Sequence, residues 1–569
     1  MNGKKNKLRS FLLKFIALFF AAAMLTSAAE FTVSAQKYSA DDFVHAEGSR
    51  IIGTDGMELH IQGMALGNSV WGNPSLPDTS HHNEKTYKEL SEMGFNSVRF
   101  YINYGLFEDD KKPYKYKKSG FEWLDKNIKW AKKYGMGIII NMHCPQGGYQ
   151  SSGSGMELWT DKSNQDRLTA LWKAIAKRYA NEPTVWGYGL INEPVVPMKD
   201  TMEQTYEQYN KLMNRITAAI RKVSPYQAVF VEGVGCAVKS DGEREYEYFT
   251  PEHSFAKIND KNVIYEFHKY DTFYFTHQNT DWAGTKGITM TYPSEEIVGE
   301  DVVNGWVNCE AASKRLSKGN GWSYFQSNTI SLSNKANVVA AAVTASNLGE
   351  GGTAYFDDIT LTEISPKGKR RTLFTADFSG GILNSSPWSE DGSGISEYYA
   401  GDGNNAKGCL KISGTTSLYV QNFKRFEMKK GYKYMISGYI KSDSSSPEIR
   451  MDMSLSENIR SFDRDYLEES FMPYVKFSEK HNVPLYLGEF GVISEGFDNK
   501  RNGVGWIRDM ISICRKYNIG FDYHVYNELS FGLYDDYPKG KNEELAKLFR
   551  EVLKQRPVKI RKQFKRKRV

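Results

Sequence analysis

The sequence predicts an α/β protein, a (β/α)8 barrel of the TIM type interrupted between its sixth and seventh strands by an all-β, jelly-roll-like sandwich. Three observations carry this. Eight short apolar runs recur along the chain, and most are followed by a segment of helical period. Between the sixth and seventh runs, one long stretch abandons that rhythm for Thr-, Ser- and Tyr-rich runs broken by Gly and Asn.

The first six runs are "LHIQGMALGN" (59–68), "SVRFYIN" (97–103), "GIIINMHCP" (137–145), "VWGYGLINEP" (185–194), "AVFVEGVG" (228–235) and "NVIYEFHKY" (262–270). "PLYLGEFGV" (484–492) and "GFDYHVYNE" (520–528) complete the set. Continuous apolar runs suit parallel strands covered by helices outside and by packed side chains inside. Helical spacing fills the gaps: Leu168, Leu171, Trp172, Ile175 and Tyr179 fall on one face, and Gly135 stops the segment before strand three. The insert is expected over 290–455, with strands in "GWSYFQSNTISLS", "ANVVAAAVTAS", "GGTAYFDDITLTEI", "SLYVQNFKRFEM" and "YKYMISGYIKS". The barrel is then divided into 36–289 and 456–555, with a leader at 1–35 and a basic tail at 556–569.

The leader joins basic "MNGKKNKLRS" to apolar "FLLKFIALFFAAAMLTSAA", with small residues at Val33–Ala35. That layout predicts a signal peptide and secretion; an uncleaved anchor would look the same. The formal charge of +6 sits at the ends. Removing the net +4 of the first 35 residues and the +8 of the last 14 leaves the body near −6. An acidic body argues against nucleic acid as a partner. The tail reads as a solvated arm able to cling to an anionic cell envelope. Five cysteines show no metal-ligand spacing, although Cys309 and Cys409 fall in the insert and could bridge. Phosphate loops and a Gly-x-Ser-x-Gly elbow are missing, which excludes the usual NTPase and serine-esterase signatures.

In such a barrel, groups at the C-terminal strand ends converge on one pocket. Arg99, His143, Asn192, Glu193, His268, Tyr270, Glu489 and His524 are expected at or near such ends, on six strands. Glu193 alone is equally consistent with a first-turn helix acid, and His143 and His268 with core histidines. The pair Glu193 and Glu489 suggests more. Cleaving a glycosidic bond takes one carboxylic acid to protonate the departing oxygen and one carboxylate to meet the oxocarbenium-like carbon.

With "VRF", "NMHCP", "NEP", "FHKY" and "GEFG" in order on successive strands, the chain resembles glycoside hydrolase family 5 over roughly 45–290 and 456–555. The resemblance implies a retaining enzyme acting on β-linked polysaccharides, with Glu193 as acid/base and Glu489 as nucleophile. It implies that Asn192 bonds the sugar 2-hydroxyl, that Arg99 keeps Glu489 ionised and that His143 binds hydroxyls. His268 would brace the acid/base, and Tyr270 would donate to the nucleophile. Where the family usually places a tryptophan floor after strand eight, this chain has His524, and Tyr526 is the aromatic expected to compensate. Trp71, Trp159 and Trp282 fall in loops after strands and are candidate sugar platforms, or pins for their own loops.

The insert's "AYFDDITLTE" (354–363) is similar to a strand of β-sandwich carbohydrate-binding modules. There Trp306, Trp322, Tyr324 and Trp388 are candidate ring-stackers, and Asp357-Asp358 a candidate structural calcium site. No catalytic metal or cofactor is expected. The leading expectation is a monomeric, secreted endo-β-glycanase acting on β-1,4-glucan or mixed glucan. A β-mannanase or xyloglucanase is the alternative within the family, and a non-catalytic glycan-binding envelope protein the alternative outside it.

Overall fold

A computed structural model describes residues 38–553, apart from 73, 152, 303–318, 333–336, 380–387, 406, 415–416, 423, 445–446 and 499. The leader, the basic tail, Cys309, Trp306 and the Trp388 side chain lie outside the described residues. All eight expected strands form: β1 Gln62–Leu66, β2 Ser97–Asn103, β3 Gly137–Cys144, β4 Val185–Gly189, β5 Ala228–Glu232, β6 Val263–His268, β7 Leu485–Phe490 and β8 Gly520–Tyr523. They make one closed parallel barrel in chain order, sealed where Tyr523 of β8 pairs with Met64 of β1.

The outer helices are α1 Glu84–Met93, α2 Lys118–Lys133, α3 Lys162–Tyr179, α4 Met202–Arg221, α5 Pro251–Ser254, α6 Arg464–His481, α7 Gly503–Lys516 and α8 Glu543–Val552. Their apolar stripes face the sheet; on α3 the stripe Leu168, Leu171, Trp172, Ile175 and Tyr179 is buried as its spacing demands. After α2 the chain turns at Gly135 with φ +67°, a conformation that glycine adopts without Cβ strain. α5 is a single turn. In the space beside it, Cys236–Val238 pairs with Arg244–Glu245 and with Val195–Pro197, a small sheet standing above β4 and β5.

Two glycines make the barrel interior possible. A Cβ on Gly63 would lie 2.0 Å from the Asp522 carboxylate, and one on Gly488 1.9 Å from Glu266. Both positions therefore leave room for buried acids on neighbouring strands.

The chain leaves the barrel after β6 and returns before α6. The excursion begins with strand Ser294–Val302, paired antiparallel with its last strand, Glu448–Phe462. The last strand therefore continues past residue 455, and α6 starts directly behind it. Two antiparallel sheets build this region. Val339, Val343, Phe356, Leu361, Ile412, Ile440 and Met451 belong to one apolar cluster drawn from both sheets. Cys409 carries a free, buried thiol. The carboxylates of Asp357 and Asp358 face N–H groups: Asp357 accepts from the Asp358 and Asn405 backbones, and Asp358 from the Asn404 and Asn405 amides.

Trp172 is fully buried and its Nε1 donates to Leu190 O at 3.0 Å, just before Asn192. Trp172→Ala is expected to cost about 3–5 kcal/mol, read as a lower urea midpoint at unchanged slope.

Candidate active site

Arg99 organises the mouth of the barrel. It sits mid-strand in β2 rather than at a strand end, fully buried, and its long side chain reaches up to several partners. Nε pairs with Glu266 at 2.8 Å, Nη1 donates to Glu489 Oε1 at 2.6 Å, and Nη2 donates to Asn192 Oδ1 at 2.9 Å. A fork of fixed N–H groups thus holds residues from β6, β7 and the loop after β4 in one arrangement.

Glu489 Oε1 also accepts from the Tyr101 hydroxyl at 2.6 Å, while Oε2 accepts from Tyr270 at 3.1 Å. Burial pushes this carboxyl upward. The charges of His268, His524 and Arg99 outweigh burial and hold it well below the ordinary carboxylate range.

Glu193 is held from two sides. Its backbone has φ +39°, left-handed territory that costs a β-carbon-bearing residue about 1–3 kcal/mol. Its N–H donates to Glu232 Oε2 at 2.9 Å, and its Oε1 lies 2.8 Å from His268 Nδ1. The side chain keeps 31% of its surface, so the carboxylate is presented rather than buried. Burial raises its pKa, but the His268 hydrogen bond and charge bring it below the usual value. Burial opposes charge on His268 as well; the surrounding carboxylates overcome it and raise this imidazole well above its ordinary pKa. The proton of the Glu193–His268 pair therefore rests on the histidine. One oxygen of Glu193, one of Glu489 and a nitrogen of His268 all lie within 4.8 Å of one another.

The floor beside Glu489 is a stack of three rings. Tyr101 lies parallel to His143 (4.1 Å between centroids, 15°) and to His524 (6.1 Å, 19°), and Trp71 stands nearly perpendicular to all three. Burial lowers the His143 pKa to about 3, so this ring stays neutral. Its Nε2 has no hydrogen-bond partner among the described residues. His524 carries a raised pKa: the Glu489 and Glu528 carboxylates overcome the cost of burying it. Trp71 is 40% exposed and Trp282 65% exposed, the latter packed by its edge on His277.

Two expected platforms are not at this site. Trp159 is buried and donates to Gln150 Oε1, pinning its own loop. Tyr526 is fully buried against Tyr534 and Tyr537, its hydroxyl on Glu89, so it supplies no aromatic surface to the cleft. Conversely, Tyr101, Glu232, Glu266 and Asp522 belong to the site and were not among the expected residues. Glu232 did stand at a strand end. The other three sit inside apolar strand runs, where an inward-facing polar residue has no sequence signature of its own.

On the far side of Glu193 a cavity of about 320 Å³ opens. Glu193, His268 and Glu232 form its inner edge, and Arg244, Tyr246 and Phe249 of the small sheet and its loop form the outer wall.

Residues 44–330, just over half of the chain, match the family described as Cellulase (glycosyl hydrolase family 5), and the chain belongs to that family of glycoside hydrolases. Its relatives include Endoglucanase C of Acetivibrio thermocellus, 30% identical over 217 residues. That alignment takes in 37% of this chain and 58% of the relative, so the chain spans little more than half the length of the protein it matches. A β-xylosidase of Phanerodontia chrysosporium is 27% identical over 272 residues, covering 41% of this chain and 53% of the relative. Among solved structures, Thermotoga maritima Cel5A in complex with cellobiose aligns with 86% of this chain and 96% of its own at a TM-score of 0.45 and 17% identity. The family match ends at residue 330, before β7 and β8; the barrel itself brings Glu489 to Glu193.

Removing the cation from this cluster strands buried carboxylates. Arg99→Ala is expected to lower stability by about 3–5 kcal/mol, measured by urea unfolding at neutral pH. The loss should shrink as pH falls below 4.5 toward the strongly lowered pKa of Glu489, because the ionic contribution present above that range is lost as this carboxyl takes up its proton.

Proposed function

We propose that this chain is a retaining endo-β-glycanase acting on β-1,4-linked glucan or mixed β-glucan outside the cell. The observation that carries the reading is the approach of the Glu193 and Glu489 oxygens to within 4.8 Å. Carboxyl groups about 5–5.5 Å apart suit direct attack, whereas an inverting pair needs about 6.5–9.5 Å to admit a water. Endoglucanases among the relatives favour a β-glucan, and the basic–apolar leader favours export.

In the first step a Glu489 oxygen attacks the anomeric carbon. The bond to the leaving oxygen breaks, and that oxygen takes a proton from Glu193, which draws it from His268 across their hydrogen bond. In the second step Glu193 removes a proton from water, the hydroxide attacks the anomeric carbon, and the ester to Glu489 breaks. Ionised at neutral pH, Glu489 is ready as nucleophile, with Tyr101, Tyr270 and Arg99 taking up its charge as it is regenerated. Asn192 is placed by Arg99 for the 2-hydroxyl, and neutral His143 keeps its unpartnered nitrogen for a neighbouring hydroxyl. Trp71, exposed beside the buried stack of His143, Tyr101 and His524, takes the sugar before the cut; the cavity beyond Glu193 takes the departing one. His524 replaces a larger indole at this floor, which favours mannan or xyloglucan as the second reading.

Turnover on carboxymethylcellulose, lichenan, mannan and xyloglucan chooses among these substrates. Glu193→Gln is expected to lose about 10²–10⁴-fold in kcat on polysaccharide while keeping activity on aryl glycosides with good leaving groups. Glu489→Ala should abolish turnover on both; full activity from either variant would refute the assignment.

The pH profile follows from the same protons. Activity is expected to fall on the acid side well below pH 4.5, as Glu489 protonates, and on the alkaline side well above pH 6.5, as His268 gives up its proton. His268→Asn leaves Glu193 to hold the proton alone, so the alkaline limb of kcat/KM should move to lower pH.

A further inference from the structure

The excursion between β6 and β7 carries a surface that the catalytic cleft does not use. One of its two sheets runs Gly319–Gln326, Lys433–Ser442, Thr353–Ile364, Cys409–Ser413 and Ile395–Tyr399 in spatial order. Its inner face carries Phe325, Ile440, Phe356 and Leu410, all buried. Strand alternation sends their neighbours to the opposite face.

The register lines those neighbours up. Ser323 pairs with Ile440, so Trp322 comes level with Lys441; Lys441 pairs with Tyr355, Tyr355 with Lys411, and Lys411 with Glu397. One pair along, Tyr324 lies opposite Tyr439, and Tyr399 ends the far strand. Lys441 Nζ sits 5.1 Å from the Trp322 ring and 4.5 Å from Tyr355, and Tyr355 lies 5.8 Å from Tyr399. The result is a row of rings on four of the five strands, Trp322 and Tyr324, Tyr439, Tyr355 and Tyr399, with Lys441 and Lys411 interleaved. Its end rings stand up, Tyr324 at 53% and Tyr399 at 39% exposure, while Tyr355 between them is buried to 7%. That profile is a shallow trough.

General strand preference for aromatics does not account for the strip. Among the described residues, the other half of the same face bears Thr360, Thr362, Thr375 and Ser437 and no ring. Charge selects the occupant. Lys441 is neutralised by Asp402 and Lys411 by Glu397, each at 2.7 Å, and the Tyr355 hydroxyl donates to Asp443 at 3.1 Å. An anionic polymer would find no free positive field here. A purely apolar protein partner would bury two ion pairs at a cost. Rings that accept sugar faces, interleaved with paired donors and acceptors that accept hydroxyls, match a neutral, extended glycan.

We propose that this trough is a second glycan-binding site, remote in sequence from the catalytic residues, that holds a neutral β-linked polysaccharide chain across the five strands. The proposal rests on the reading of the chain as a β-glycanase. A weak tethered site of this kind raises the local concentration of substrate without new chemistry.

The test is electrophoresis of the full chain carrying Glu193→Gln, which prevents digestion, through gels containing lichenan or hydroxyethylcellulose. Tyr324→Ala and Tyr399→Ala are each expected to weaken retardation about fivefold, and together more than tenfold; Tyr324→Phe should keep it. With Glu193 intact, the same ring variants should hydrolyse cellotetraose at the parental rate. Both rings are exposed, so thermal unfolding of the variants should match the parent. Unchanged retardation in the double variant, or no retardation of the parent on either polymer, would overturn the proposal. So would a concentration-dependent dimer in sedimentation that Tyr324→Ala dissolves, which would make this face a contact between copies. Loss of cellotetraose turnover by the parent with retardation intact would instead overturn the catalytic reading alone.

Discussion

Arg99 is buried to the last atom, and a guanidinium so placed costs several kcal/mol unless its N–H groups are met. Its two terminal nitrogens are met by hydrogen bonds to Glu489 and Asn192, and its charge is met by an ion pair from Nε to Glu266 as well; the three partners come from different parts of the chain. Much else follows from this requirement. Gly488 must lack a side chain so that Glu266 can reach across from β6, and Gly63 must lack one so that Asp522 can fit beneath. The Arg99 backbone itself donates to Asp522, so both ends of the residue are tied to the barrel interior. The geometry around Glu489 is then a property of the packed barrel rather than of a loop.

Such an interior holds more acids than cations, and protonation restores the balance. Burial raises Asp522 to about 8, so it is mostly neutral at pH 7, and pushes Glu232 well above the carboxylate range. Negative charge is left where the cations are. Glu489 faces Arg99 and two protonated histidines, and Glu193 faces one of them. Neighbouring carboxyl groups a few ångströms apart thereby occupy different protonation states, set by distance to a cation rather than by residue type.

The barrel was legible in the sequence because apolar strand runs and amphipathic helices have distinct periods, and all eight runs sit where those periods place them. Glu193 and Glu489 were legible for a related reason: each is a charge at the end of an apolar run, with Pro194 or Gly491 one or two residues on. Tyr101 was not, since tyrosine is an ordinary strand former and nothing in "SVRFYIN" says which face it takes. Glu266 stands two residues before His268, on the same inward face, but only the closed barrel shows which carboxyl the arginine will need. Trp159 and Tyr526 illustrate the converse. A loop position says that an indole or phenol is near the mouth, not whether it points into it. Three-dimensional neighbours decide that: Gln150 from the same loop for Trp159, and Glu89 from far along the chain for Tyr526.

The first and last strands of the excursion, Ser294–Val302 and Glu448–Phe462, are zipped to each other. Its two ends therefore emerge side by side, and the Tyr292 N–H donates to Arg501 O at the junction. To the barrel, a detour of well over a hundred residues looks like a short turn once the zip has formed. Closing a flexible loop of that length rather than a few residues would cost about 3 kcal/mol more in chain entropy, at roughly 0.6 kcal/mol per doubling. The order of assembly is thereby biased: the β-rich detour gains by condensing first, and β7 then docks on β6 as though the two were consecutive.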